Sequence, residues 1–314
     1  MTILTRLEQW RERGTITDAQ HQQLAALSQN QPFSLYIELN ILLYVGILAF
    51  VGGLGWTITT WSQQMGDVLI LTLLTTLLAA SFYYCFSRAP LWSPHETPST
   101  SLVLDYVLYL ASLVWSVELA FIENRFHIFA GQWDYCLLAS SLLFFFLAYR
   151  FDNRFVLSLA LSTLAATVGL TLSRWTAHQD ATYRLYAIFY SLVVAAAGTS
   201  LERRGLKPHF LNTHLNVAAN VLFWALLSGV FDHQASAFWI FGLLAACGAS
   251  LAWGLAKRQF VFVAYAAVYG YIGLSSILIR NVRGAIAILF YFLITGVAML
   301  VMIVKLARSR GSEK

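Results

Sequence analysis

The sequence is short of most things that mark a soluble protein. Only 11% of its 314 residues are charged, against roughly a quarter in ordinary soluble domains. Hydrophobic residues make up 59%, and the mean hydropathy is +0.66. A soluble chain of this size cannot bury so much apolar surface, because too much of it lies outside. Cysteine is scarce. Cys85, Cys136 and Cys247 all sit in apolar runs and form no C-x-x-C pair, which supports neither a disulfide framework nor a zinc site and reads as packing. Proline is limited to Pro32, Pro90, Pro94, Pro98 and Pro208, all outside the apolar runs, so the commonest cause of a helix kink is missing. Phosphate-loop, nucleophile-elbow and HExxH patterns are missing too. No catalytic residue, cofactor or metal is expected, and the chain reads as a non-enzyme.

What is present is a succession of long apolar segments. A helix needs about 20 apolar residues to cross the hydrocarbon core. The runs predict ten spans, at 37–60, 67–87, 102–122, 133–149, 155–172, 184–201, 211–231, 237–256, 260–279 and 284–304. The expected fold is all-α: a polytopic membrane bundle of about ten helices. The expected division is a helical hairpin at 1–35, a membrane domain at 36–305 and a basic tail at 306–314.

In the hairpin, Ile3, Leu4, Leu7 and Trp10 recur at helical spacing and Gly14 supplies a stop. Thr17 and Gln20 fit a capping box at the start of a second helix, which carries Leu24 and Leu27 and ends at Pro32. A hairpin this small buries little core, so it leans on the membrane surface, the bundle or a protein partner.

The basic residues are unevenly placed. Fifteen of the 20 Lys and Arg fall on the side of the termini, and five (Arg125, Arg174, Arg184, Arg280 and Arg283) on the other. The positive-inside rule then puts both termini in the cytoplasm, and the expected location is the bacterial inner membrane. Trp56, Trp61, Trp133, Trp175 and Trp239 lie near the predicted outer ends, where amphipathic rings favour the headgroup level. The segment 87–101, with three of the prolines, reads as one extended, mobile cytoplasmic loop. Dispersed Lys and Arg argue against nucleic acid and for membrane lipids as the counter-charge.

The stretch Leu7, Trp10, Gly14, Ile16, Thr17, Gln20 precedes a Gly-rich first span, Leu42 to Trp56. Later come Phe126-His127-Ile128, Trp133, and the turn AYRFDNR from Ala148 to Arg154. This arrangement resembles the bacterial predicted membrane proteins grouped as domain of unknown function 2157. The likeness covers the hairpin and roughly the first five spans. It implies no settled activity and no catalytic residues.

Ionisable groups in a bilayer are costly, about 2.5–3.5 kcal/mol at a helix centre on insertion scales, so Glu118 on the third span is the first candidate. It could bind a proton or a cationic solute, or pair with an outer-end arginine such as Arg184 or Arg280. Polar stripes with i, i+4 spacing mark three other spans: Asn40 and Tyr44, Asn216 and Asn220, and Tyr265 and Tyr269. They read either as a polar solute path or as interhelical hydrogen bonds. Gly242, Ala246, Ser250 and Gly254, each four apart, make a packing face, internal or between copies in a homo-oligomer. Glu123, His127, Asp134, His178, Asp180, Asp232 and His233 read as solvated outer-loop residues without metal-ligand spacing. Three classes remain: a scaffolding, assembly or sensing protein whose hairpin and proline-rich loop dock a cytoplasmic partner; a secondary transporter or exporter of a small solute; and an intramembrane enzyme, the weakest of the three.

Overall fold

The computed structural model describes residues 8, 10–11, 14, 16–22, 35–97, 102–175, 180–232, 237–279, 291 and 293–297. It falls into two compact units, Met1–Ile70 and Leu71–Lys314. Among the described residues every regular element is helical. Lipid imposes this, since a backbone in hydrocarbon must satisfy its own hydrogen bonds.

In the first unit the capping box is present as read. The Thr17 N–H donates to Gln20 Oε1 at 3.0 Å and the Gln20 N–H to Thr17 Oγ1 at 3.4 Å. Gly14 turns the chain at φ +67°, a conformation that glycine adopts without steric cost. Leu24, Leu27 and Pro32 lie outside the described residues. The long helix α1 spans Leu35–Met65, and its stretch Leu42–Thr60 is long and apolar enough to cross a membrane.

The following helices are α2 Asp67–Arg88, α3 Leu102–Phe126, α4 Trp133–Phe151, α5 Arg154–Trp175, α6 Asp180–Arg203, α7 Leu211–Phe231, α8 Ala237–Ala256 and α9 Phe260–Ile279. A one-turn 3-10 helix, Pro208–Phe210, leads into α7. Nine helices among the described residues are long and apolar enough to cross a membrane. They coincide with the first nine predicted spans to within a few residues. Of the tenth, at 284–304, only residues 291 and 293–297 are described, and they are helical.

Packing in the second unit proceeds by consecutive hairpins, with α4 on α5, α6 on α7 and α8 on α9. α7 ties the hairpins together, touching α5, α8 and α9. One core gathers Leu108, Phe144, Leu147, Val156, Leu157, Ala160 and Phe210. A second gathers Phe223, Leu226, Leu227, Trp239 and Leu243. The α4–α5 corner explains the AYRFDNR run. Asp152 sits in the left-handed region at φ 59° and returns its N–H to Ala148 O, a helix stop that Asp and Asn tolerate better than most residues. Asn153 then caps α5, accepting the N–H of Phe155 at 2.9 Å and of Val156 at 3.0 Å.

Candidate functional site

Two of the three polar stripes meet. Asn220 on α7 donates to Tyr265 Oη at 3.0 Å and accepts from Tyr269 Oη at 2.9 Å, both on α9. Its amide also reaches Asn216 O at 2.9 Å. Phe223, three residues on from Asn220, stacks on the Tyr269 ring with centroids 4.6 Å apart. The cluster is thus a tie between helices, roofed by aromatic rings. The Asn216 side-chain oxygen is buried without a partner among the described residues. On α1, Tyr44 is half-buried, and the Asn40 side chain lies outside the described residues.

Glu118 stands apart from that cluster. Its side chain is buried, and Oε1 accepts the Thr75 hydroxyl of α2 at 2.5 Å. The expected ion pair with Arg184 is not formed. Arg184, near the start of α6, binds Asp232 at the end of α7 at 3.0 Å and lies over the ring of Trp239 on the first turn of α8; Arg280 lies outside the described residues. Glu118 Oε2 and the Trp115 indole nitrogen, one turn away, are buried without partners among the described residues.

The small-residue face of α8 packs inside the protein. A methyl at Gly242 would press on Leu226 of α7 at 2.9 Å, and one at Gly254 on Val263 of α9 at 2.7 Å. Ser250 donates to Phe262 O at 2.8 Å, and Ala246 lies against the second core.

Two acids read as solvated are in fact buried. Glu123 is 1% exposed and Asp134 4%. Glu123 accepts the N–H groups of Phe129 at 2.8 Å and Gly131 at 2.6 Å, closing a loop in which His127, Ala130 and Gly131 all have positive φ. Asp134 pairs with Arg174 and accepts the Thr171 hydroxyl at 3.1 Å. Each acid is buried because local donors replace water. Trp239 likewise packs inward, at 9% exposure against Gly229, whereas Trp56 and Trp133 are exposed. The side chains of Trp61, Trp175 and Asp180 lie outside the described residues, as do His178 and His233. Among the described residues no group of three or more His, Cys, Asp or Glu is placed to hold a metal ion.

The most developed polar site was not singled out from the sequence. It joins the α4–α5 corner to the 3-10 turn before α7. Asp152 Oδ2 accepts Lys207 Nζ at 3.0 Å, and Oδ1 meets His209 Nε2 at 2.5 Å. The Asp152 and Lys207 side chains are only 4% and 3% exposed. The Thr97 N–H and hydroxyl add bonds to Oδ2 at 2.7 and 3.0 Å. Burial pushes the Asp152 carboxyl up. The Thr97 N–H, the Lys207 ammonium, the charge of His209 and the Thr97 hydroxyl outweigh it and hold the carboxyl below its ordinary value. Lys207 itself is in the left-handed region at φ 47°, which is uncommon for a long side chain. Beside the knot, Asn153 donates to Asp105 at 2.9 Å.

This knot pins the segment between α2 and α3. The Lys207 N–H donates to Pro94 O at 2.7 Å and Arg150 to Pro90 O at 3.0 Å. Arg154 pairs with Glu96 at 2.7 Å. The expected mobile loop is therefore tied down from 90 to 97, since the Arg150 side chain and the Lys207 N–H take the carbonyls of Pro90 and Pro94 and Asp152 takes the N–H of Thr97. A cavity of about 60 Å³ between α5, α6 and α7 is lined by apolar groups and tyrosines, including Ala165, Gly169, Ala187 and Tyr190. None of the stripe residues borders it.

No curated protein and no solved structure matches the chain. Residues 8–157 match the family described as "Predicted membrane protein (DUF2157)". The match runs from the hairpin through the Asp152–Asn153 corner, and Lys207 and His209 come from beyond it. Over that stretch, just under half of its length, the chain is similar to this family of predicted membrane proteins.

Proposed function

We propose that this protein is a scaffolding, assembly or sensing component of the bacterial inner membrane. Both termini are cytoplasmic, lipids surround the bundle, and the N-terminal hairpin docks a protein partner. The orientation rests on the uneven split of Lys and Arg. One observation supports the role above others: several polar side chains within the spans are spent on neighbouring helices. Asn220 holds Tyr265 and Tyr269, Tyr190 donates to Leu161 O at 2.6 Å, and Ser141 to Ala160 O at 3.1 Å. Groups paired in this way hold helices in register rather than wet a path, and this reading assigns the protein no enzymatic step.

The alternative, a secondary transporter or exporter of a small solute, draws support from Glu118, whose second oxygen is buried without a partner among the described residues. Thiol accessibility decides between the two. In native membranes, Asn220→Cys and Tyr269→Cys are expected to resist a water-soluble maleimide from either face, reacting no more than the unsubstituted protein. Reaction from one face or from each in turn would overturn the scaffold reading and favour transport.

A further inference from the structure

The pinned segment between α2 and α3 carries the most exposed leucine of the described residues. Leu91 is 93% exposed, and Trp92 beside it is 56% exposed. Neither is on a loose strand, because the carbonyls of Pro90 and Pro94 and the side chain of Glu96 are all bonded to the bundle. An apolar pair held out by a fixed frame needs an apolar environment to meet.

The surroundings say which environment. Exposed Tyr83 and Phe86 on the last turns of α2, and exposed Leu102 and Val103 on the first turn of α3, run into the same end. The lipid-facing surface of the spans therefore continues onto Leu91 and Trp92 without a polar break other than Ser87 and Arg88. Arg88, Arg203, Arg204, Lys257 and Arg258 are exposed, and Gln259 bonded to Asn212 at 2.8 Å brings the last two to this end. The acids nearest the loop are consumed, Glu96 by Arg154 and Asp152 by Lys207 and His209. What remains is an apolar tip at an end of the bundle where these five exposed cations outnumber the exposed acid beside them, Glu202. Tryptophan favours the boundary between headgroups and acyl chains, and clustered Lys and Arg favour anionic headgroups.

We propose that the turn from Pro90 to Pro94 dips into an anionic lipid leaflet, with Leu91 and Trp92 seated at the headgroup boundary and the arginines meeting headgroup phosphates. A protein partner would meet the same apolar pair, but it would not account for the exposed apolar residues that lead to it from α2 and α3. The loop is then a depth stop for the basic end of the bundle, a role separate from the docking given to the hairpin.

The test uses the full-length protein with an environment-sensitive thiol dye at Leu91→Cys, and at His95→Cys as an exposed control on the same loop. The signal from the unsubstituted protein is subtracted. Vesicles contain phosphatidylcholine with brominated acyl chains, with or without phosphatidylglycerol. The Leu91→Cys dye should be quenched several-fold more than the His95→Cys dye, and quenching should fall when phosphatidylglycerol is omitted. Equal quenching at the two positions, or quenching indifferent to headgroup charge, would overturn the proposal. So would shielding of the Leu91→Cys dye that appears only at high protein density, which would point to a second copy.

Discussion

The two ends of the bundle treat charge in opposite ways. At the basic end one buried carboxylate, Asp152, collects Lys207, His209 and Thr97, so segments far apart in sequence share a single anchor. At the other end the charges form separate pairs, Arg174 with Asp134 and Arg184 with Asp232, and in each pair one side chain is 41% exposed. A pair open to water or headgroups exchanges one set of partners for another at little cost. A closed knot cannot, since each partner removed leaves a charge with no solvent to replace it. Concentrated charge makes one end rigid and vulnerable at once, whereas dispersed charge makes the other tolerant.

Substitution at matched acids breaks this comparison most directly. Asp152→Ala leaves Lys207 buried and unpaired and is expected to cost about 3–5 kcal/mol. Asp232→Ala, whose carboxylate is far more open, is expected to cost less than about 1 kcal/mol. Unfolding in detergent followed by circular dichroism measures both. Equal losses would mean that the two ends are not different in kind. Replacing Asp152 and Lys207 together by Asn and Met should recover much of the loss, because the buried ammonium is then gone with its partner.

A smaller effect is expected between the ends, where the ties are neutral. Asn220→Leu removes the bonds to Tyr265 and Tyr269. At about 0.6 kcal/mol for an average interhelical bond, the loss should come to about 1 kcal/mol in the same unfolding measurement. A loss as large as that of Asp152→Ala would show that polar ties within the spans, rather than the knot, hold the second unit together.

The helices were legible in the sequence because hydrocarbon leaves a chain few options, and run length alone locates them. The capping box at Thr17 and Gln20 was legible for a similar reason, as both halves lie within one turn. The i, i+4 rule found Asn220, Tyr265 and Tyr269 on their helices, but it could not say that α7 and α9 face each other. The knot was out of reach. Its members come from residues 97, 152, 207 and 209, and a lone lysine before a proline reads as one more loop cation. The available signal was indirect: Asp-Asn at a helix corner, where Asp takes the left-handed turn and Asn caps the next helix, with a lysine and a histidine flanking Pro208. Glu123 and Asp134 were misread for the opposite reason. Position near a helix end suggested solvent, but backbone donors and Arg174 lie close enough to replace it.

Acid sharpens the comparison with the least disturbance. The Asp152 carboxyl is held below its ordinary value in the folded protein, so the folded state binds the proton less readily than the unfolded chain does. Its contribution to stability is therefore full above the unfolded value of about 3.9 and is lost as pH falls through the lower folded value. Asp152→Asn cannot titrate. The stability difference between the native protein and Asp152→Asn should shrink as pH falls below about pH 4. Hydrogen exchange at the Thr97 amide, which donates to this carboxylate, should speed up over the same acid range in the native protein, beyond the intrinsic dependence measured in Asp152→Asn. A difference that instead widens as acid is added would reverse the sign, because it would mean that burial, and not the ring of donors, governs this carboxyl.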